Sequence, residues 1–583
     1  MTATFRFGRF ELNPATRQLL VDRQPVPLGA RAFDVLLALI ERRDRVVTKN
    51  EMLDLVWPGL VVEENNLQVQ ISTLRKVLGP DAVATIPGRG YRFTLSLEAV
   101  PAPNSHAAAI PSIAVLPFAN VSDDSSNEYF ADGLSEELLN VLAKIRGLRV
   151  ASRTSAFYFK GKNADLPTIA QSLNVATVLQ GSVRKAGNRV RIAVQLIHAA
   201  TDTHLWSETY DRDLGDVFAV QDDIARAVVT ELRAALVGAH LSTSQSARVT
   251  AEVAMAVKGR AENVEVHRLY LEGKFFLERQ TSEGIAKGIG LLERAVDRDP
   301  TYALAWATLS RAYVVRSWIP VTRVSPPTFD LARAAAEQAL TMQPDLPDGH
   351  AALGWVRMLA DWDWNGAKES LERALELAPE HVDALRYASL LMGNVGHLDE
   401  ALKLSRRVAA LDPLSWNAFS NLANYFLGTG FPDEAGAAVE KSIELNPHSE
   451  LTQFILGKVR LDQRRPDDAL TAFQRMSGAL RLMGVALAQF ARGSQQESDE
   501  ALRELIERYA DDNAFQIAQA CAYRREFDLS FLWLERAYEQ HAAELCQVKW
   551  DPLLRNLRGD ERWHPFLEKM ELAHSNLAIR DER

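Results

Sequence analysis

Regularly spaced prolines constrain the second half of the chain more than any other feature of its sequence. Pro300, Pro344, Pro379, Pro413 and Pro447 follow apolar, helix-forming segments at spacings of 44, 35, 34 and 34 residues. Proline ends helices because it lacks a backbone N–H donor and clashes with the preceding turn. The spacing therefore predicts a repeated unit of two stacked helices, since internal periods of this length are typical of helical repeat proteins.

Small residues follow the same period. Alanines occupy the positions where the two helices of each hairpin would cross closely: Ala332, Ala339, Ala367, Ala374, Ala401 and Ala435. Gly396 and Gly430 fall at the turns between helices, and an insertion around Arg316 to Pro327 explains the longer first spacing. An irregular helical bundle is the alternative, but phased prolines and alanines together favour repeats.

This region resembles a tetratricopeptide repeat (TPR) array. Trp306, Leu309, Ser310 and Tyr313 follow the W-x2-L-G-x2-Y spacing, with Ser in place of Gly. The resemblance implies an all-α superhelix whose concave face binds a protein or peptide ligand. The segment from Trp550 to Trp563 resembles the closing cap that follows TPR arrays in bacterial regulators.

Composition divides the remaining chain into smaller parts. The stretch Val100 to Pro111 is rich in Pro and Ala and predicts a linker. We therefore expect a multidomain protein of the α+β and all-α classes. Its predicted parts are a domain at 1–98, a linker at 99–111, a small α/β domain at 112–237, a partly helical connector at 238–264 and the TPR region with its cap at 265–575.

The predicted α/β domain contains two long strand-like runs on either side of Gly187-Asn188, a strong hairpin signal. The domain resembles the TolB N-terminal-type domain. The resemblance rests on Leu116-Pro117-Phe118, Phe130-Ala131-Asp132-Gly133, Gln180-Gly181-Ser182-Val183 and Leu205-Trp206-Ser207-Glu208. It implies a fold and little chemistry. The acidic cluster Asp202, Glu208, Asp211 and Asp213 is interpreted as a solvated strand end rather than a cation site.

The N-terminal domain contains the most informative helix, predicted from Glu64 to Leu78. At 100° per residue, Leu67, Ile71, Leu74 and Leu78 form one apolar stripe that must face a core. The opposite face is polar and becomes cationic toward its end, so it can lie in a DNA major groove without repelling phosphate. After it, Thr85 to Phe93 predicts a two-stranded wing with arginines at its tip.

This domain resembles the OmpR/PhoB-type winged helix-turn-helix family. The matching residues are Phe7-Gly8, Leu12, Arg17, Val26-Pro27-Leu28, Phe33-Asp34-Val35-Leu36, Val46-Val47, Leu53, Val56-Trp57, Leu74-Arg75-Lys76, Leu78-Gly79, Thr85 and Gly88 to Phe93. The resemblance implies that the third helix reads the major groove and that the wing approaches the minor groove or backbone. The sequence departs from response regulators at Gly29-Ala30-Arg31, a variant that resembles regulators fused to TPR arrays.

The residues expected to contact DNA lie on the helix and on the wing. They are Asn65, Gln68, Val69, Ser72, Thr73, Arg75 and Lys76 on the helix, and Arg89, Tyr91 and Arg92 on the wing. The family resemblance also implies that the loop from Pro58 to Glu63 touches RNA polymerase. Because the winged-helix pattern begins near residue 5, we expect no receiver domain before it.

Charge and composition exclude several other classes. Residues 1–95 contain 13 Lys and Arg against 10 Asp and Glu, whereas the whole chain carries a net charge of −10. A basic domain on an acidic body suits a protein that binds DNA at one end and proteins at the other.

The sequence favours a cytoplasmic protein with no membrane anchor. It has two cysteines without a CxxC motif, no export signal and no apolar span long enough to cross a bilayer.

The sequence lacks the motifs that would indicate an enzyme. The sequence contains no GxxxxGK[ST], GxSxG or HExxH pattern, so we expect no catalytic site, cofactor or metal ion. The domain order is similar to HilA-like regulators and unlike membrane-anchored CadC-like ones. The sequence therefore predicts a sequence-specific transcriptional regulator that binds promoter DNA, with a homodimer as a hypothesis. The alternative is a TPR scaffold or adaptor for protein assembly, whose DNA binding is weak or nonspecific.

Overall fold

The computed structural model describes the chain in segments. The described residues are 5–7, 10–13, 18–21, 24–26, 28–42, 45–56, 64–87, 89–95, 111–122, 124, 127–145, 147–213, 215, 217–237, 243–257, 263–278, 281–317 and 327–573. The chain divides into two compact units, residues 1–109 and 110–583.

The described part of the first unit contains two small sheets and three α-helices. Its elements are β1 (Phe5–Phe7), β2 (Phe10–Asn13), β3 (Gln18–Val21), β4 (Gln24–Val26), α1 (Ala30–Glu41), β5 (Val47–Thr48), α2 (Lys49–Val56), α3 (Glu64–Leu78), β6 (Val83–Ile86) and β7 (Gly90–Phe93). Strands β1 to β4 form an antiparallel sheet in chain order, while β7 pairs with both β5 and β6. This is a winged helix.

The bounds of α1 and α3 agree with the apolar periodicity of the sequence. Leu67, Ile71 and Leu74 are at most 2% exposed, and α3 packs with them against α1 and α2. Thr48 caps the start of α2, because its hydroxyl accepts a hydrogen bond from the Glu51 amide at 3.2 Å. The core therefore fixes which side of α3 faces outward.

The second unit begins with an α/β domain. Its elements are β8 (Ser112–Val115), β9 (Ala119–Asn120), α4 (Glu128–Ala143), β10 (Arg149–Val150), α5 (Arg153–Phe157), α6 (Leu166–Leu173), β11 (Thr177–Ala186), β12 (Arg189–His198), β13 (Thr203–Asp213), α7 (Val217–Val237) and α8 (Thr243–Ala256). The sheet order is β10-β8-β11-β12-β13, with β9 beside β11. Strand β8 is parallel to β10 and β11, whereas β11, β12 and β13 are antiparallel.

The region from β11 to β13 contains both the predicted hairpin turn and the acidic cluster. Gly187 and Asn188 form the two-residue turn between β11 and β12, as their sequence predicts. In the acidic cluster, Asp211 accepts hydrogen bonds from Arg189 and Arg191 at 2.6 and 2.7 Å. The segment interpreted as a connector contains α8, which packs with α7 and α4.

Sixteen further α-helices follow in the described residues before the closing segment. They are α9 (Val264–Leu277), α10 (Ser282–Arg298), α11 (Ala303–Ser317), α12 (Pro327–Met342), α13 (Pro347–Val356), α14 (Trp364–Leu377), α15 (Val382–Asn394), α16 (Leu398–Leu411), α17 (Trp416–Thr429), α18 (Pro432–Leu445), α19 (Glu450–Asp462), α20 (Pro466–Phe473), α21 (Gly478–Arg492), α22 (Gln495–Tyr509), α23 (Ala514–Tyr523) and α24 (Phe527–Glu539). They pack as eight consecutive hairpins, numbered here one to eight, and the first helices of successive hairpins also touch.

The phased residues lie where the repeat requires them. Each of the five prolines lies between the last helix of one hairpin and the first helix of the next. The six phased alanines are fully buried. Gly396 and Gly430, with φ of +94° and +84°, lie at turns inside hairpins four and five, where a left-handed backbone favours glycine. The TPR prediction is confirmed.

The segment that follows the last hairpin contacts several earlier hairpins of the array. The closing segment, residues 540–573, contains two short 3-10 helices and α25 (Trp563–Lys569). Trp550 Nε1 donates to Asn394 Oδ1 of hairpin four at 3.2 Å, and its ring lies 5.3 Å from that of Tyr425 in hairpin five. Arg555 forms an ion pair with Asp462 of hairpin six at 2.9 Å. The closing segment thus crosses the carboxyl ends of several first helices.

No helix in the described ranges is long and apolar enough to cross a bilayer. Cys521 and Cys546 are both free and buried. Burial raises the pKa of the Cys521 thiol to about 12, and burial also raises that of Cys546. Thiols of this kind remain protonated and are poor nucleophiles, so they pack as small apolar side chains.

Candidate nucleic-acid interface

Helix α3 presents a polar stripe to the outside of the winged helix. Asn65, Gln68, Val69, Ser72 and Lys76 are all exposed. Asn65, Val69, Ser72 and Lys76 follow one another at spacings of three and four residues, and Gln68 lies beside Val69. Such spacings place side chains on one side of a helix. The stripe lies opposite the buried leucine and isoleucine positions, as the sequence predicts.

Two other predicted site residues, Thr73 and Arg75, are half-buried and have partners inside the domain. The Thr73 hydroxyl donates to the Val69 carbonyl oxygen at 2.9 Å. Arg75 Nε and Nη2 donate to the Val83 carbonyl oxygen at 3.0 and 2.7 Å, and Nη2 also donates to Thr85 Oγ1 at 2.7 Å. The guanidinium of Arg75 therefore braces the wing against α3.

The wing consists of β6, β7 and the turn between them. Arg89 and Arg92 are exposed on it, and the Arg89 amide donates to the Ile86 carbonyl oxygen at 3.0 Å, which closes the turn. Tyr91 alternates to the other face of β7, where it is 4% exposed and belongs to the domain core. The side chain of Tyr91 thus supports the wing from inside and is not part of its surface.

Gly90 fixes the position of the wing relative to β5. Its φ is +150°, and a Cβ at this position would lie 2.0 Å from the Val47 carbonyl oxygen and 2.8 Å from Thr48 Cα. Real Cβ atoms do not approach backbone atoms so closely, so only glycine allows β7 to pair with β5 here. The glycine in the wing is therefore required by packing as well as by the turn.

The second unit contains a buried charge cluster that the sequence does not reveal. Glu136 of α4 pairs with Arg153 of α5 at 2.8 Å, and it also pairs with Lys274 of hairpin one. Burial raises the pKa of the Glu136 carboxyl, but the two cations outweigh burial and hold the pKa at about 2. The cluster joins the α/β domain to the TPR array.

The ion pairs continue into the array. Arg153 contacts Glu278 at 3.4 Å, Glu278 contacts Arg311 of hairpin two at 3.3 Å, and Arg311 contacts Asp383 of hairpin four at 2.9 Å. Asp383 also pairs with Arg386 at 2.7 Å. Glu136 is buried, Glu278 is exposed and the other members are half-buried. Opposite charges in alternation compensate one another, whereas a buried charge without a partner would be costly.

A cavity of about 40 Å³ lies beside this cluster on the first helices of hairpins one to four. Its polar lining residues are Lys274, Thr308, Arg311, Asp348, His381, Asp383 and Tyr387. His381 Nε2 lies 3.5 Å from Asp348 Oδ1. Burial lowers the pKa of His381, but the Asp348 carboxylate outweighs burial and raises it. The lining thus carries both signs of charge.

The fold and the exposed stripe of α3 define the class of this protein: a winged helix joined to a TPR array. Three families match separate parts of it. The carboxyl-terminal domain of transcriptional regulatory proteins matches residues 23–93, the second domain of HilA/YgeH-like transcriptional regulators matches 108–227, and the tetratricopeptide repeat matches 421–480. The chain therefore carries an OmpR/PhoB-type winged-helix DNA-binding domain, a HilA-like second domain and TPRs. The TolB-type resemblance of the second domain stays a prediction.

Individual relatives match different lengths of this chain. A putative adenylate cyclase of Rhizobium meliloti is 35% identical over 264 residues, which cover 44% of this chain and 42% of that protein. The transcriptional regulator HilA of Salmonella typhi is 23% identical over 421 residues, 70% of each chain. The phosphate regulon regulator PhoB of Pseudomonas aeruginosa is 34% identical over 96 residues, 16% of this chain and 42% of that protein.

Proposed function

We propose that this chain is a sequence-specific transcriptional regulator that binds promoter DNA and acts in the cytoplasm. The observation that supports this function best is the exposed stripe of α3. From Asn65 to Leu78 the helix contains no Asp or Glu, and its stripe ends on the exposed cation Lys76. A helix of this kind enters a major groove without electrostatic repulsion.

The exposed residues divide into two roles. Asn65, Gln68 and Ser72 carry amide and hydroxyl groups that pair with base edges and so supply sequence preference. Lys76, Arg89 and Arg92 carry the charges that contact phosphates and position the domain on the duplex. Arg75 and Tyr91 act indirectly in this proposal. Arg75 is hydrogen-bonded to the wing, and the side chain of Tyr91 is buried in the core.

The second unit receives the signal in this proposal. A protein or peptide partner binds to the concave face of the TPR array. A homodimer formed through this unit would place two winged helices on neighbouring half-sites. A contact of Pro58 to Glu63 with RNA polymerase is also proposed from the family resemblance, and that loop lies outside the described residues.

The proposal assigns no catalytic step to the chain. Two of the relatives described above are named as transcriptional regulators. The one named as a putative cyclase shares 42% of its own length with this chain, so its name does not carry an activity over.

Selection of binding sites from random duplex DNA tests the proposal. The full chain is used at two salt concentrations, and enrichment of one motif at both is expected. Ser72→Ala should then change the preferred bases, whereas Lys76→Ala should weaken binding to all sequences and lower the salt slope by about 1. Arg508→Ala is the matched control, because it removes an exposed positive charge from the TPR region.

Salt-sensitive retention without any enriched motif would contradict the proposal. That result would instead favour a TPR scaffold whose DNA binding is nonspecific. Sedimentation of the full chain with and without the selected site tests the homodimer separately, and a monomer under both conditions would exclude it.

A further inference from the structure

A buried hydroxyl without a partner belongs to the lining of the cavity on the first helices of hairpins one to four. Tyr387 of α15 is 1% exposed, and its hydroxyl makes no hydrogen bond within the described residues. Its ring stacks on Trp355 with 4.5 Å between centroids, so packing explains the ring and not the hydroxyl. An unpaired buried donor is costly, and a ligand in the cavity would satisfy it.

Two cations of the lining also have donors to spare. The Lys274 ammonium pairs with Glu136, and the Arg311 guanidinium donates to Asp383 at 2.9 Å. An ammonium has three N–H donors and a guanidinium has five, so both can serve a further acceptor. Burial raises the pKa of the Tyr387 hydroxyl to about 12, so this group stays protonated and is a third donor.

Asp348 supplies the opposite charge on the same lining. Its side chain is half-buried, and Oδ1 lies 3.5 Å from His381 Nε2. Burial raises the pKa of the Asp348 carboxyl, but His381 outweighs burial and holds the pKa at about 2. The carboxyl is therefore ionised at neutral pH and keeps lone pairs that can accept from a positive group.

The volume of the cavity limits what enters it. At about 40 Å³ it holds about three water molecules, since one needs about 10–15 Å³. It therefore admits a small charged group, and a longer side chain attached to that group must stay outside. The two carboxylates of Asp348 and Asp383 disfavour a bare anion, whereas Lys274 and Arg311 disfavour a metal cation. The charges favour a small group that carries both signs.

We propose that this cavity is a binding site for a free amino acid, held by its charged head group. The α-carboxylate accepts hydrogen bonds from Lys274, Arg311 and Tyr387, and the α-ammonium donates to Asp348. The free end of a peptide carries only one of these two charges. The inference goes beyond the proposed function, which assigns a protein or peptide partner to the array.

Calorimetric titration of the full chain with each of the common free amino acids tests the inference. Saturable binding of at least one amino acid is expected. Acetylation of its amino group then removes the positive charge, and amidation of its carboxylate removes the negative one. Each derivative should bind at least about tenfold more weakly than the free amino acid, since each loses a charge-assisted hydrogen bond.

Tyr387→Phe separates ligand binding from packing. The affinity should fall about tenfold, because the ligand carboxylate loses one donor. Without amino acid the unfolding temperature should not fall, since the hydroxyl has no partner to lose. Tyr425→Phe is the matched control, because Tyr425 is also 1% exposed and its hydroxyl donates to the Ser389 carbonyl oxygen at 3.1 Å. This control should lower the unfolding temperature and keep the affinity.

Asp348→Asn tests the other end of the head group. The variant should bind the free amino acid about tenfold more weakly, but it should bind the acetylated derivative as well as the unmodified chain does. The reason is that the derivative has no ammonium for Asp348 to accept from. Asp345→Asn is the matched control, since it removes an exposed carboxylate three residues away and outside the lining.

Three results would overturn the inference. They are no binding by any of the amino acids, equal or tighter binding of a blocked derivative, and unchanged affinity in Tyr387→Phe and Asp348→Asn. Tighter binding of a blocked derivative would indicate the end of a peptide as the ligand. None of these measurements involves DNA, so the proposed function stands or fails independently in the selection of binding sites.

Discussion

Arg75 on helix α3 and Val83 on the wing are joined by two hydrogen bonds from one guanidinium to one carbonyl oxygen. Arg75→Ala leaves that oxygen without its partners, so it should destabilise the wing by about 1–3 kcal/mol. Faster hydrogen exchange of the β6 and β7 amides would show this. Lys76→Ala is the control, because it removes the neighbouring exposed cation and should leave the exchange rates unchanged.

Gly90→Ala should disrupt the same wing for a steric reason. The new Cβ would collide with the Val47 carbonyl oxygen, so β7 must separate from β5. We expect a loss of about 2–4 kcal/mol in the free energy of unfolding of the first unit, measured by hydrogen exchange. A Cβ at position 29 would meet no atom within 4 Å, so Gly29→Ala should lower the free energy of unfolding by less than about 1 kcal/mol. Equal effects of the two substitutions would refute the steric account.

Glu136→Gln should weaken the junction between the α/β domain and hairpin one. The substitution leaves the half-buried cations Arg153 and Lys274 without the buried carboxylate that they share. Breaking a buried ion pair in this way costs about 3–5 kcal/mol, which denaturant unfolding of the full chain can measure. Glu504→Gln breaks only an exposed pair and should cost less than about 1 kcal/mol.

The same carboxylate predicts how stability depends on pH. The pKa of Glu136 is about 2 in the folded chain, below its ordinary value of 4.5. The unfolded chain therefore binds the proton first as the pH falls, and the contribution of Glu136 to stability is lost between about pH 4.5 and 2. The slope of unfolding free energy against pH should be shallower for Glu136→Gln across this window. Identical slopes would contradict the assignment.

Trp550→Ala should release the closing segment. The indole is 4% exposed and contacts Asn394 and Tyr425, so its loss should cost about 3–5 kcal/mol locally. Limited proteolysis should then cut residues 540–573 faster, while DNA binding by the first unit stays unchanged. Trp550→Phe keeps most of the packing and should show a smaller effect, and equal cleavage of all three chains would contradict the prediction.

Local sequence patterns predict much of this structure. The bounds of α3, the Gly187-Asn188 turn and the positions of the phased prolines all follow from periodicity or turn chemistry. The short helices α5 and α6 are missed, because five and eight residues give little periodicity. The exposed residues of the candidate DNA surface can also be predicted from the sequence, since they lie on the side of α3 opposite its apolar stripe.

Long-range partners cannot be read in the same way. The sequence gives Arg75 and Lys76 the same cationic signal, yet one braces β6 and the other is exposed. Glu136 and Lys274 are far apart in the chain, and nothing near either residue indicates the other. Such pairings depend on how whole elements pack, which local pattern does not encode.

The path of the closing segment changes how the array should melt. In a simple solenoid each repeat touches its neighbours alone, so stability is a sum of local terms and the ends fray independently. Here Asp551 accepts a hydrogen bond from Gln519 of hairpin eight, one residue after Trp550 has bound hairpins four and five. The closing segment thus connects repeats that are distant in sequence. We therefore expect the array from hairpin four to hairpin eight to unfold in a single cooperative step.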